Sequence, residues 1–193
     1  MKGVLFVGTL RHCCMFSLIV GWPLNRVDIQ WRHDSVLSNI VALIQPKLAP
    51  GSRLFSDLPG FHAPGGGSIP PNVLVTTSRP DIFIVNETSR EIIAFELTCP
   101  WDAKEGKYAP LVADLSRTYR TFHFPVEATV RGQVSSGNKN RFKSFVYRAC
   151  TDPKTVHKSI VQVCSKTALL SSFSIFSARN EPTWENPAPL ISR

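Results

Sequence analysis

No apolar run in this chain reaches the ~18 residues that a membrane-spanning helix needs. The longest candidate, residues 15–22, is short and follows Arg11 and His12, so no membrane partner is expected. The five cysteines, Cys13, Cys14, Cys99, Cys150 and Cys164, form no metal-type pair of pairs, and the five histidines are scattered. Nothing there points to zinc. An odd count, with Cys13 and Cys14 adjacent and unable to bridge each other, suggests reduced thiols inside a cell. Gly65-Gly66-Gly67 is not followed by Gly-Lys-Ser/Thr, which excludes a nucleotide P-loop. Acidic residues are also few, 14 against 22 Lys+Arg, leaving a net charge of +8.

What is present suits one α/β domain. The chain has 193 residues, 43% of them hydrophobic, and a mean hydropathy of −0.01, enough to bury a core. The positive charge is concentrated. Residues 115–166 hold ten basic side chains, including Arg117, Arg120, Arg131, Lys139, Arg141, Lys143 and Arg148, against Glu127 and Asp152. The rest of the chain balances at twelve against twelve. Such a field either is a solvated surface or attracts an anionic partner.

Residues 1–30 read as an extension of uncertain character: a weak imitation of a signal peptide, a buried strand, or a misassigned start. A helix is predicted from Asp34, capped by Asp34 or Ser35, with Val36, Leu37, Ile40, Val41 and Ile44 on one stripe before Pro46. Residues 46–72 are rich in Pro and Gly and read as a long loop with a short strand near Leu54-Phe55. Residues 81–86 and 91–98, both apolar and β-branched around the polar residues 87–90, form a predicted β-hairpin covered on both faces. An amphipathic helix follows over 107–119, with Tyr108, Leu111, Val112, Leu115 and Tyr119 on one face. Alternation from Phe122 to Arg131 predicts a strand, which Gly132 and residues 135–138 break. Two further helices are expected near 139–150 and 155–172, and residues 181–193 read as an extended, Pro-containing tail. The domain proper is taken as 31–180.

The hairpin carries the chemistry. A turn at 87–90 sets Asn86 opposite Glu91, and the same register sets Asp81 opposite Glu96. Opposed residues lie with Cβ atoms about 4.5–5.5 Å apart on one side of the sheet. Two carboxylates so placed repel, and burial adds a desolvation cost. A shared proton, a nearby Lys or Arg such as Arg79, or a divalent cation would relieve it. Hard oxygens without His or thiolate favour Mg²⁺ or Mn²⁺. Thr98 faces the same side as Glu96. Lys104 and Lys107, soon after, could reach back toward the acids and offset transition-state charge, or simply be solvated.

Arg79-Pro80-Asp81, fourteen further residues and then Glu96 resemble the signature of the restriction-like endonuclease domain of the PD-(D/E)XK type. That domain stands at the C-terminus of certain non-LTR retrotransposon reverse transcriptases. Further blocks resemble domesticated or decayed copies of it: Trp31-Arg32-His33-Asp34-Ser35-Val36-Leu37, Phe55-Ser56-Asp57-Leu58, Ile69-Pro70-Pro71, Glu96-Leu97-Thr98-Cys99-Pro100-Trp101 and Lys107-Tyr108. The likeness covers about residues 31–185. It implies a mixed central sheet flanked by helices, with the acids at one edge, and Mg²⁺-dependent nicking of a DNA phosphodiester. It also implies that Asp81, Glu96 and the Leu97 carbonyl hold the metal, with Lys107 or Lys104 completing the catalytic set. DNA, or an RNA–DNA intermediate, would lie on Arg79 and on the basic residues from Arg117 to Arg148, in an intracellular, nuclear setting. Thr98 stands where the family has its usual Lys, and the stretch between Trp101-Asp102 and Lys107-Tyr108 is short. A binding module of this fold that does not cut, and a degenerate fragment with no nucleic-acid role, are therefore the alternative readings.

Overall fold

A computed structural model describes residues 26–98, 107–178 and Leu190. In chain order these form helix α1 (Arg26–Ile44), a 3-10 turn (Gln45–Lys47), strands β1 (Ser52–Ser56), β2 (Ile82–Asn86) and β3 (Glu91–Thr98), helix α2 (Ala109–Leu115), strand β4 (Arg120–Glu127), and helices α3 (Ser136–Ala149) and α4 (Pro153–Ala178). The four strands make one mixed sheet in the order β1-β2-β3-β4. β1, β2 and β3 run antiparallel, while β4 pairs with β3 in parallel. The α/β class and the flanked mixed sheet agree with expectation.

The predicted hairpin is present in its predicted register, with Asn86 opposite Glu91 and Ile82 opposite Phe95. Its turn is held by Asn86 Oδ1, which accepts from the Ser89 N–H at 3.0 Å, and by Arg90 in the left-handed region at φ 52°. Both faces are covered, as the unbroken apolar runs require. Ile82, Ile84, Ile93, Phe95 and Leu97 pack against α1, α3 and α4. Phe83, Val85, Ile92 and Ala94 pack against Ile69, Tyr108, Leu111 and Leu115.

Several boundaries differ from the sequence reading. Helix α1 begins at Arg26 rather than Asp34, inside the stretch read as an extension. Asp34 and Ser35 are not caps. Ser35 donates its hydroxyl to the Trp31 carbonyl one turn back at 2.8 Å, the way a mid-helix serine satisfies itself. Trp31 and Arg32, at 4% and 1% exposure, extend the buried stripe backwards. Helix α2 stops at Leu115, where residues 116–118 turn into β4. β4 itself ends at Glu127. Residues 135–138, read as the break after the strand, already start α3, because Ser135 is an N-cap whose Oγ accepts the Asn138 N–H at 3.1 Å. Residues 99–106 and 181–189 lie outside the described residues.

Helix α4 runs 26 residues. Among the described residues it is the one helix long and apolar enough, by length and composition, to cross a membrane. Counting unbroken apolar runs misses this, because Lys158 and Lys166 interrupt it. It lies against α1 and α3, with Val156, Ile160, Cys164 and Ala168 in the core. The loop before α3 is pressed onto it: a Cβ on Gly132, at φ +70°, would sit 2.3 Å from the Ser165 carbonyl oxygen. Gly132→Ala is expected to cost about 2 kcal/mol, from left-handed strain plus displacement of the loop. Urea denaturation measures it, and a variant as stable as the parent would contradict this packing.

Candidate metal centre

Asp81 immediately precedes β2 and is held from four sides. Its carbonyl accepts from Ser56 Oγ at 2.5 Å and from the Asp57 N–H at 3.1 Å. Its carboxylate oxygen Oδ2 accepts from the Leu97 N–H at 2.6 Å and lies 3.2 Å from His33 Nε2. The side chain is 11% exposed. Glu96, on β3, is 18% exposed, with Oε1 3.5 Å from Lys107 Nζ. Glu96 Oε2 is buried and has no hydrogen-bond partner among the described residues.

The two acids sense each other. Burial first, and then the Asp81 charge, raise the Glu96 carboxyl from 4.5 to about 7. The Lys107 charge, and the polar groups of Tyr108 and the Asp81 backbone nearby, oppose this without cancelling it. Tyr108 closes the site. Its hydroxyl donates to the Arg79 carbonyl at 2.9 Å, accepts from Lys107 Nζ at 2.8 Å, and also neighbours Glu96. Burial, then the charges of Glu96 and Asp81, hold this phenol far above its ordinary value, so it stays a neutral donor. The Lys107 ammonium sits 4.5 Å from the Tyr108 ring centroid, which fixes its position by a cation–π contact.

Of the residues singled out in the sequence, the structure gathers Asp81, Glu96, Leu97 and Lys107. Leu97 takes part through its N–H, while its side chain is in the core at 3% exposure. Lys107 lies just ahead of α2 rather than within it. Lys104 lies outside the described residues. Arg79 contributes its carbonyl to Tyr108, and its side chain pairs with Asp57, Nε to Oδ1 at 3.4 Å.

The basic residues separate into three places. Arg120 and Arg148 lie over the Phe122 ring at 5.1 and 3.5 Å, and Arg141 donates to the Pro125 carbonyl at 3.2 Å. Arg120 opens the outer strand β4, where it pairs with Glu91 at 3.6 Å. Arg141 and Arg148 reach that strand from α3, Lys143 lies over Tyr147 within α3, and Pro125 is the residue paired with Glu96. Arg131 and Lys139 lie beyond the end of β4, in the loop to α3 and in its first turn. Arg117 instead pairs with Asp114 at 3.5 Å, past the end of α2.

Sequence reasoning misses His33. It stands on the apolar stripe of α1, one turn before Leu37, and its Nδ1 lies 3.0 Å from Asp34 Oδ1 while Nε2 faces Asp81. A polar residue in phase with Leu37, Ile40 and Ile44 was the available signal. It misses Asp57 as well, which bridges Arg79 and His62, the latter at 3.7 Å.

The residues fit a hard divalent cation. Two carboxylates are adjacent and one oxygen of Glu96 is buried and unsatisfied among the described residues, though the site is not free of His as expected, since His33 Nε2 lies beside Asp81 Oδ2. No group of three or more His, Cys, Asp or Glu side chains converges among the described residues, so the protein would offer the pair and leave other positions to water and substrate. The fold and site together define an α/β protein with a buried acidic pair one strand in from a basic sheet edge. No known protein family, curated protein or solved structure matches the chain.

Proposed function

We propose that the chain is a metal-dependent DNA endonuclease domain of restriction-endonuclease-like fold, derived from a retrotransposon, that nicks phosphodiesters. The observation that carries this reading is that Asp81 and Glu96 flank the Ile82–Phe95 pair of the hairpin, with the Lys107 ammonium 3.5 Å from Glu96. Thr98 occupies the usual lysine position, and Lys107 supplies from the next segment the cation that Thr98 cannot.

Asp81 and Glu96 would hold Mg²⁺ or Mn²⁺, which when bound lowers the pKa of a water and stabilises charge on the scissile phosphate. Asp81 presents its remaining oxygen, because Oδ2 is taken by the Leu97 N–H and His33. Lys107, held by Tyr108, places a positive charge where negative charge develops. Arg141, which reaches from α3 to the Pro125 carbonyl opposite Glu96, would carry the nucleic-acid backbone at that end of the sheet, a contact that weakens with salt.

The Lys107–Glu96 ion pair also favours a second reading, a nucleic-acid-binding module that does not cut, since it offsets the acidic charge without a cation. Supercoiled plasmid separates the two. Nicking with Mg²⁺ that EDTA abolishes, and that Asp81→Ala and Glu96→Ala both lack, is the expected result. Binding without nicking would leave the module. Equal nicking by both variants would assign the activity to a contaminant.

A further inference from the structure

Beyond the last residue of β4 the chain builds a second feature. The loop 128–135 leaves the sheet beside β3, where the Ala128 N–H donates to the Thr98 carbonyl at 3.0 Å. It then folds back against α4 at Gly132. Between this loop, the first turn of α3 and one face of α4 lies a cavity of about 660 Å³, within the range of small-molecule sites. Lys158, Gln162 and Ser165 line it from α4, at i, i+4 and i+7 on one helix face. Lys139, Thr129 and Ser135 line it from the opposite side. Its lining holds two ammonium groups, hydroxyls and amides, and no Asp or Glu. The two helices are tied here by His157 Nε2, which lies 3.2 Å from the Lys139 carbonyl.

We propose that this cavity is a phosphate subsite: Lys139 and Lys158 hold one phosphodiester of a nucleic-acid strand that also passes the carboxylate pair. The chemistry is that of a dianion-poor, donor-rich hollow: ammonium groups and hydroxyls donate, and nothing in the lining repels an anion. The position selects the strand rather than a free nucleotide. The lining begins at Thr129, two residues past Glu127, which pairs with Thr98 two residues on from Glu96, so the cavity and the carboxylate pair belong to the same end of the sheet and one strand bound there is the ligand that would serve both. This assignment rests on the nucleic-acid part of the proposed function and not on cleavage.

Fluorescence anisotropy with a 25-base-pair duplex in EDTA, over a salt series, tests it without any cutting. Lys139→Ala/Lys158→Ala is expected to reduce the slope of log K against log salt by about 0.9, the loss of one phosphate contact. Lys154→Ala/Lys166→Ala removes the same charge from the same basic segment, outside the cavity, and is expected to leave the slope within error. All four lysines are exposed, and circular dichroism checks that both variants fold. Equal losses from both pairs would overturn the subsite in favour of a diffuse basic surface. An unchanged slope in the first pair would overturn it outright. A free mononucleotide or inorganic phosphate that binds the parent but not the first variant, with the duplex slope unaltered, would overturn the strand as its source. Because plasmid nicking is measured separately with Mg²⁺, failure of the cleavage reading and failure of the subsite give different results.

Discussion

Glu96→Gln is expected to abolish Mg²⁺-dependent nicking and, at pH 8, to make the protein more stable. Both effects have one cause. The Glu96 carboxyl is buried beside Asp81, and its charged form is disfavoured, so its proton is held up to about pH 7 instead of 4.5. Below pH 4.5 the folded and unfolded chains both keep that proton and nothing is lost. Between 4.5 and 7 the unfolded chain releases it while the folded chain does not, and stability falls as pH rises. Above 7 the full cost is present. At about 1.4 kcal/mol per pH unit, moving from 4.5 to about 7 corresponds to a ceiling of about 3–4 kcal/mol, which the part-exposure of the side chain reduces. Gln has the same shape and no charge. Its melting temperature should exceed the parent's at pH 8, and the two should converge at pH 4. A Gln variant less stable than the parent at pH 8 would mean that Lys107 more than offsets burial. A divalent cation is expected to act in the opposite sense on the parent, raising its melting temperature at pH 8 and leaving the Gln variant unmoved.

Asp81 should behave differently, because its carboxylate is structural as well as chemical. Asp81→Ala removes the acceptor of the 2.6 Å bond from the Leu97 N–H and the partner of His33. A buried donor left unmatched beside a lost charged bond costs about 2–3 kcal/mol. Asp81→Asn keeps an acceptor for Leu97 and should recover most of that stability, yet it should not recover nicking. The pair thus separates folding from chemistry. The Glu96 titration, followed by NMR, is expected to move below 7 in both variants, since the Asp81 charge is gone, and to stay above 4.5 because burial remains. A Glu96 titration unmoved in both variants would show that the acids do not interact and would remove the basis for a shared cation.

Much of this site is legible in the sequence because it depends on local pairing. Two β-branched runs around four polar residues leave one register, and that register alone brings Asp81 to Glu96. The same logic fails where contacts are distant. Asp34-Ser35 has the chemistry of a cap, and only the burial of Trp31 and Arg32 against the rest of the fold reveals a helix already under way. His33 joins the acids through a helix packing on a sheet: its phase with Leu37 marks it as inward-facing, but nothing in the spacing names Asp81 as its partner. The basic stretch 115–166 reads as one field, yet its members divide among the β4 edge, the cavity beyond it, and Arg117 at the far end of the strand. Linear density of charge cannot foretell that division. The parallel pairing of β4 with β3 is likewise a product of the α2 crossover, not of any feature within β4.

The hairpin's double-sided burial has a consequence for how the chain avoids misassembly. Most strands are indexed by polarity, since sliding one residue exposes oil and hides charge. Here Ile82 and Phe83 are equally at home indoors, so greasiness alone would tolerate a shifted zipper. The turn at Asn86 gives one index mark, and the acids at the open end supply a second. Shifted by one, Asp81 would forfeit the Leu97 amide and turn toward hydrocarbon, a penalty of several kcal/mol. The residues that make the site chemically awkward are thus also the ones that keep its two halves in step.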